Sequence, residues 1–226
     1  MTEAQLYQRC DEVLGPYLEA KGFRRWQPAR YLRKVLGGEE CVSVSKAPPS
    51  KARTHFSVWI SYEPDYMHAL DDLYDVPKED RGVLTPPYLT PVGATWRPKY
   101  WSHKNRDVLD RSLQHVIHCL EQSGFAWLES LRDPGVFAAM ADPIAALDCG
   151  LANEIAGNLE QARQSYEDEL RRFREILKMK LTEAQILEKC GKPFIFVATK
   201  LDVEPERVAD FKRKLNYYPD IKPLPK

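Results

Sequence analysis

No apolar run in the sequence approaches the roughly 18 residues needed to cross a bilayer, which excludes a membrane span. Neither charge is in excess: 33 Lys+Arg stand against 33 Asp+Glu, whereas a dedicated DNA binder shows a basic surplus. Cysteine is sparse, at five residues with no close pair, and an odd, scattered set suits a reducing compartment better than a disulfide frame. The opening Met1-Thr2-Glu3-Ala4-Gln5 is polar and acidic, so no secretory leader is predicted and a cytoplasmic location is expected. Also missing are a Gly/Ser linker, a phosphate-binding G-x-x-x-x-G-K-[ST] loop, a G-x-S-x-G nucleophile elbow and a calcium-loop spacing. What remains is a globular chain of 226 residues, 43% hydrophobic and 29% charged. A chain of that length buries roughly 70% of its unfolded surface and needs no staples to fold.

Thr2-x-x-Gln5 has the capping-box spacing, and Leu6, Cys10, Val13, Leu14 and Leu18 follow at helical intervals. Gly15-Pro16 is expected to kink this helix and Gly22 to cap it. Residues 30–46 read as a hairpin turning at Gly37-Gly38, with both glycines expected at positive φ. Phe56, Val58, Ile60 and Tyr62 alternate with polar neighbours, as in a strand with one buried face. Prolines at 86, 87, 91 and 98 limit any strand near 94–100 to a short or edge position. From about residue 105 helical periodicity dominates. One helix is expected to end at Gly124, and Asp133-Pro134 and Asp142-Pro143 mark helix starts. Residues 194–198, Phe-Ile-Phe-Val-Ala, read as a strand or buried extended segment, and the proline-rich tail as frayed. Thr182-x-x-Gln185 repeats the first capping box, predicting a second similarly capped helix.

Several motifs invite functional readings. His115-x-x-His118-Cys119 places potential ligands on one helix, but zinc needs three or four converging groups and no second cluster is present, so no metal is predicted. Thr199-Lys200-Leu201-Asp202 resembles a guanine-recognition motif, yet the phosphate loop that must accompany it is missing. Trp96, Arg97, Lys99, Tyr100 and Trp101 interleave aromatics with cations, as do Arg24, Arg25 and Trp26. Such groups stack bases and neutralise phosphates, or anchor a protein interface; alternatively the rings are core and the cations reach past them to water. Between residues 63 and 80 seven carboxylates, Asp71 and Asp72 among them, face few cations, which suits a solvated loop or a dock for a basic partner.

The order helix, Lys21-Gly22-Phe23, Arg24, then a Tyr31-Leu32-Arg33 strand, together with Phe125-Ala126-Trp127-Leu128 after a later helix, resembles a bacterial domain-of-unknown-function family. Its members enter an antiparallel meander through a helix–Gly-Phe junction. The resemblance spans about residues 3–175, implies an α+β fold and brings no catalytic residues. Residues 157–167, from Gly157 to Glu167, resemble half of a tetratricopeptide unit, but without a 34-residue period the reading is a single helical hairpin.

The expected architecture is α+β: an antiparallel sheet of three to five strands, an N-terminal helix on one face and a mostly helical C-terminal layer. Residues 1–104 form the meander domain, with 105–226 docked on it or continuous with it. The expected function is a cytoplasmic, non-catalytic protein-binding module with no cofactor, in its sharpest form an immunity factor that neutralises a toxin. Its candidate contact residues are Arg24, Arg25, Trp26, Asp71, Asp72, Trp96, Arg97, Lys99, Tyr100 and Trp101. Two alternatives stand beside it: an enzyme with a His/Cys or carboxylate site, and a single-stranded nucleic-acid binder, the latter disfavoured by zero net charge.

Overall fold

The Thr2 capping box forms as its spacing predicts. The structure is a computed structural model that describes residues 1–47, 54–68, 70, 73, 88–90, 93–95, 99–140 and 146–225. The Gln5 amide donates to the Thr2 hydroxyl at 3.2 Å, and the Thr2 amide donates to the Gln5 side chain at 2.9 Å. Helix α1 (Glu3–Ala20) continues through Pro16, burying Leu6, Cys10, Leu14 and Leu18. Gly22, at φ +86°, turns the chain, and the Phe23 amide bonds back to the Leu18 carbonyl so that the Phe23 ring closes the helix end.

The strands are β1 (Arg24–Gln27), β2 (Arg30–Val35), β3 (Gly38–Lys46), β4 (His55–Pro64), β5 (Tyr88–Thr90), β6 (Gly93–Thr95) and β7 (Trp101–Ser102). They form one antiparallel sheet in the order β1-β2-β3-β4-β5-β6. The short β5 and β7 share the edge of β4 that β3 leaves open, with Tyr88 opposite Trp59 and Trp101 opposite Phe56. Only Gly37 of the hairpin glycines has positive φ, at +82°. Gly38 serves closeness instead: a Cβ there would stand 2.6 Å from the Tyr62 ring. Phe56, Val58 and Ile60 are fully buried, as the alternation predicts. The α+β class and the antiparallel meander are therefore those read from the sequence.

The described residues divide into two compact units, one within Met1–Tyr66 and Gly82–Arg132, the other within Met67–Arg81 and Asp133–Lys226. Helices α2 (Arg106–Cys119) and α3 (Phe125–Ser130) thus group with the sheet, in the unit that ends at Arg132. Gly124 does not end the helix. Residues Leu120–Gly124 form a π-helical turn through which the chain passes directly into α3. Gly124 packs closely there, since a Cβ would sit 3.0 Å from the Leu89 side chain.

The helical unit holds α4 (Pro134–Met140), α5 (Ala146–Ile155), α6 (Leu159–Lys178), α7 (Glu183–Ile186), α8 (Lys192–Leu201) and α9 (Pro205–Leu215). Asp133 accepts from the amides of Gly135 and Val136, so the Asp-Pro start signal is used. Gly157, at φ +79°, makes the α5–α6 turn, and Ala162 is fully buried as a single helical hairpin requires. Residues 194–198 are helical, not extended. A solid apolar run reads alike for a buried strand and a buried helix, and here Phe194 packs 5.2 Å from Phe211 and Phe196 5.9 Å from Tyr166, within a helical surround. The tail is anchored rather than frayed: Leu224 is buried and its amide donates to the Lys200 carbonyl at 2.8 Å. Among the described residues no helix is long and apolar enough to cross a membrane.

Candidate functional site

The corner between β1 and β2 concentrates the unusual features of the sheet unit. Pro28-Ala29 must reverse the chain in two residues, and Ala29 does so in the left-handed region at φ +56°. That conformation costs a non-glycine residue about 1–2 kcal/mol. It is held from α1: the Asp11 carboxylate accepts from the Ala29 amide at 3.0 Å and from the Tyr31 hydroxyl at 2.6 Å through one oxygen. The other oxygen lies 3.0 Å from the Arg25 guanidinium. The Ala29 carbonyl in turn accepts from Val44 at 2.9 Å. Burial, then the bond to Asp11, push the Tyr31 phenol above its ordinary pKa, so it stays a donor.

This rigid corner carries a β-bulge. Arg25 pairs with Tyr31 and Gln27 with Arg30, which leaves Trp26 outside the ladder. All four residues of β1 are exposed, and Trp26 is 48% accessible, large for an indole. Arg24 flanks it and makes no ion pair among the described residues. Because Tyr31 faces α1, alternation puts Arg30 and Leu32 on the opposite sheet face, with Arg24 opposite Leu32.

The other candidate residues divide differently. Lys99 is exposed and Tyr100 half-buried, but Trp101 is an interior residue, 4% accessible. Its ring lies 6.0 Å from that of Phe56, and its Nε1–H donates to His115 Nδ1 at 3.3 Å. Trp101 therefore packs rather than presents a surface, because β7 pairing turns it inward against the core parity of β4. Asp71, Asp72, Trp96 and Arg97 lie outside the described residues.

Of the chemical motifs, His115 and His118 stand with ring centres 6.5 Å apart, and burial raises the pKa of the neighbouring Cys119 thiol. Among the described residues no group of three or more His, Cys, Asp or Glu could hold a metal ion. The Thr199–Asp202 motif lies at the end of α8, where Lys200 is buried 2.6 Å from Glu154 and Asp202 caps the helix at φ +56°. Neither side chain is placed on a strand-end loop to read a base.

Sequence reasoning missed two carboxylates. Asp11 organises the corner, and Glu40 is fully buried between Arg33 Nε at 2.7 Å and Arg132 Nη2 at 2.8 Å. Arg33 also lies over the Phe23 ring and donates to the Lys21 carbonyl at 2.8 Å, tying the end of α1 to the sheet. The signal for Glu40 was its parity, since it alternates with Val42 and Val44 on the core side of β3. Comparison of the chain with protein-family models, with curated proteins and with solved structures gives no match, so its functional reading rests on these residues.

Proposed function

We propose that the chain is a protein-binding module and that the β1–β2 corner is its contact surface, with Trp26 as anchor and Arg24 beside it. The observation that carries this reading is the exposed Trp26, set out of the ladder by a bulge on a strand edge held rigid by Asp11. Strained backbone and bulges cluster at functional positions because the surrounding structure must sustain their cost. An exposed Trp beside an Arg is also the side-chain pairing that dominates protein interfaces. A preorganised corner loses little conformational entropy on docking. The partner face that suits Arg24 and Arg30 carries carboxylates; if that partner is a toxin, the module is an immunity factor.

The test is a photo-crosslinking residue placed at Trp26 in cells that express the protein, with the same residue at exposed Glu206 as control. The expected result is one discrete protein adduct from position 26 that Arg24→Glu abolishes. Equal adducts from both positions, or crosslinks to nucleic acid alone, would overturn the reading.

A further inference from the structure

His103 directly follows β7, is 0% exposed, and among the described residues has no hydrogen-bond partner on either ring nitrogen. Buried polar groups are bonded in the great majority of cases, so an imidazole with both nitrogens idle is an uncommon arrangement. Its backbone is not idle: the His103 amide donates to the Thr54 carbonyl at 2.8 Å, pinning the end of β7 to the start of β4. The ring itself lies 6.5 Å from Phe56.

The charged groups that act on this ring are cationic or become so in acid. They are the amino group of Met1 before α1, Lys46 at the end of β3 and His55 at the start of β4, with only the residue's own backbone favouring the charged ring. Neighbouring Trp101 leads to His115 and His118 on α2. Two carboxylates of α1 and α2, Glu12 and Asp110, are engaged by Arg9 at 2.7 Å each. Burial first, and these cations after it, hold the His103 pKa below the ordinary histidine value.

We propose that His103 is an acid-release latch: neutral, it seats β7 on β4, and once protonated it drives the segment around Trp101–Ser102 off that edge. What it must overcome is the burial of Trp101 with its bond to His115, the bond from the Ser112 hydroxyl to the Ser102 carbonyl, and a short strand pairing. β7 is two residues long and is held on β4 by the pairs His55–Ser102 and Phe56–Trp101 and by the His103–Thr54 bond. A charged imidazole inside would be out of water, with no carboxylate acting on it among the described residues and with the charge of Lys46 opposing it. After release the ring is solvated and binds its proton at the ordinary value. The closed form is therefore fully favoured above the ordinary histidine range and loses its advantage as pH falls through it. This inference is independent of the protein-binding reading.

Amide hydrogen exchange followed by NMR tests it, with rates normalised to the intrinsic rate at each pH. From about pH 7.5 to about pH 5.5, protection of the His103 amide is expected to fall by up to about tenfold per pH unit, while that of Val44 in β3 holds. His103→Phe, which cannot charge, is expected to flatten the response, and His55→Asn to leave it. The same fall in His103→Phe, or its loss in His55→Asn alone, would overturn the proposal. The wild-type imidazole titration decides the matter without any variant: a His103 ring that titrates at or above the ordinary histidine value while the segment stays closed also overturns it.

Discussion

The carboxylate of Asp11 and the hydroxyl of Tyr31 meet at 2.6 Å, joining the middle of α1 to the second strand of the sheet. The same carboxylate holds the left-handed Ala29 and the edge residue Arg25, so one side chain ties the helix to the whole β1–β2 corner. Asp11→Ala strands the Tyr31 hydroxyl and the Ala29 amide in a buried place. A loss of about 2–4 kcal/mol is expected in urea unfolding, against about 1 kcal/mol for Tyr31→Phe, which removes a single bond. A double-mutant cycle showing no coupling between the two would contradict this account.

The two tryptophans at candidate positions should separate cleanly. Trp26→Ala is expected to change stability by less than about 0.5 kcal/mol while removing the proposed contact. Trp101→Ala should cost about 3–5 kcal/mol, because it leaves a cavity against Phe56 and an unpaired His115 nitrogen. Thermal unfolding of the two variants side by side checks the order.

Glu40 is charged, fully buried and paired with two arginines, so removing it should do more harm than its net worth as a pair suggests. Glu40→Ala leaves Arg33 and Arg132 facing each other without a counter-charge, and a loss of about 3–5 kcal/mol is expected. Chemical denaturation measures it; a loss under about 1 kcal/mol would mean that the guanidinium groups find water instead.

Burial pushes the Cys10 thiol up to about 12 and the Cys41 thiol up to about 11. At about pH 8 that lowers the thiolate fraction more than about a hundredfold relative to an ordinary cysteine. Iodoacetamide is expected to label both only after unfolding, as read by mass spectrometry of timed samples. Rapid native labelling of either would revive a nucleophilic cysteine and with it the enzyme alternative.

In the helical unit, Lys200 and the Tyr166 hydroxyl both donate to Glu154, at 2.6 and 2.9 Å. Lys200→Met alone should cost about 3 kcal/mol by leaving the carboxylate unbalanced, and adding Glu154→Gln should restore at least about 1 kcal/mol. Equal losses in the single and double variants would show that packing of the lysine stem, not its charge, is what counts.

Local rules written along the chain account for much of this molecule. Thr2 and Thr182 cap their helices, Gly22 and Gly157 turn where a positive φ is needed, and the alternation from Phe56 to Ile60 faces the core. Each depends on residues at most a few positions apart, so sequence spacing suffices to place them. Periodicity could not assign Phe194–Ala198, because a segment surrounded on every side has no polar face to reveal its period. Nor could spacing show that Trp26 is presented while Trp101 is enclosed, since both are tryptophans among cations. That distinction was decided in three dimensions: a bulge opposite Tyr31 throws one ring out of the ladder, and pairing with Phe56 draws the other in. The partners of Asp11, Glu40 and Arg9 lie 18 to 101 residues away, apart from Arg33 beside Glu40, Arg25 beside Asp11 and Glu12 beside Arg9, which are nearer in sequence. Chain folding alone brings such distant charges together, because each is buried only once its partner has arrived.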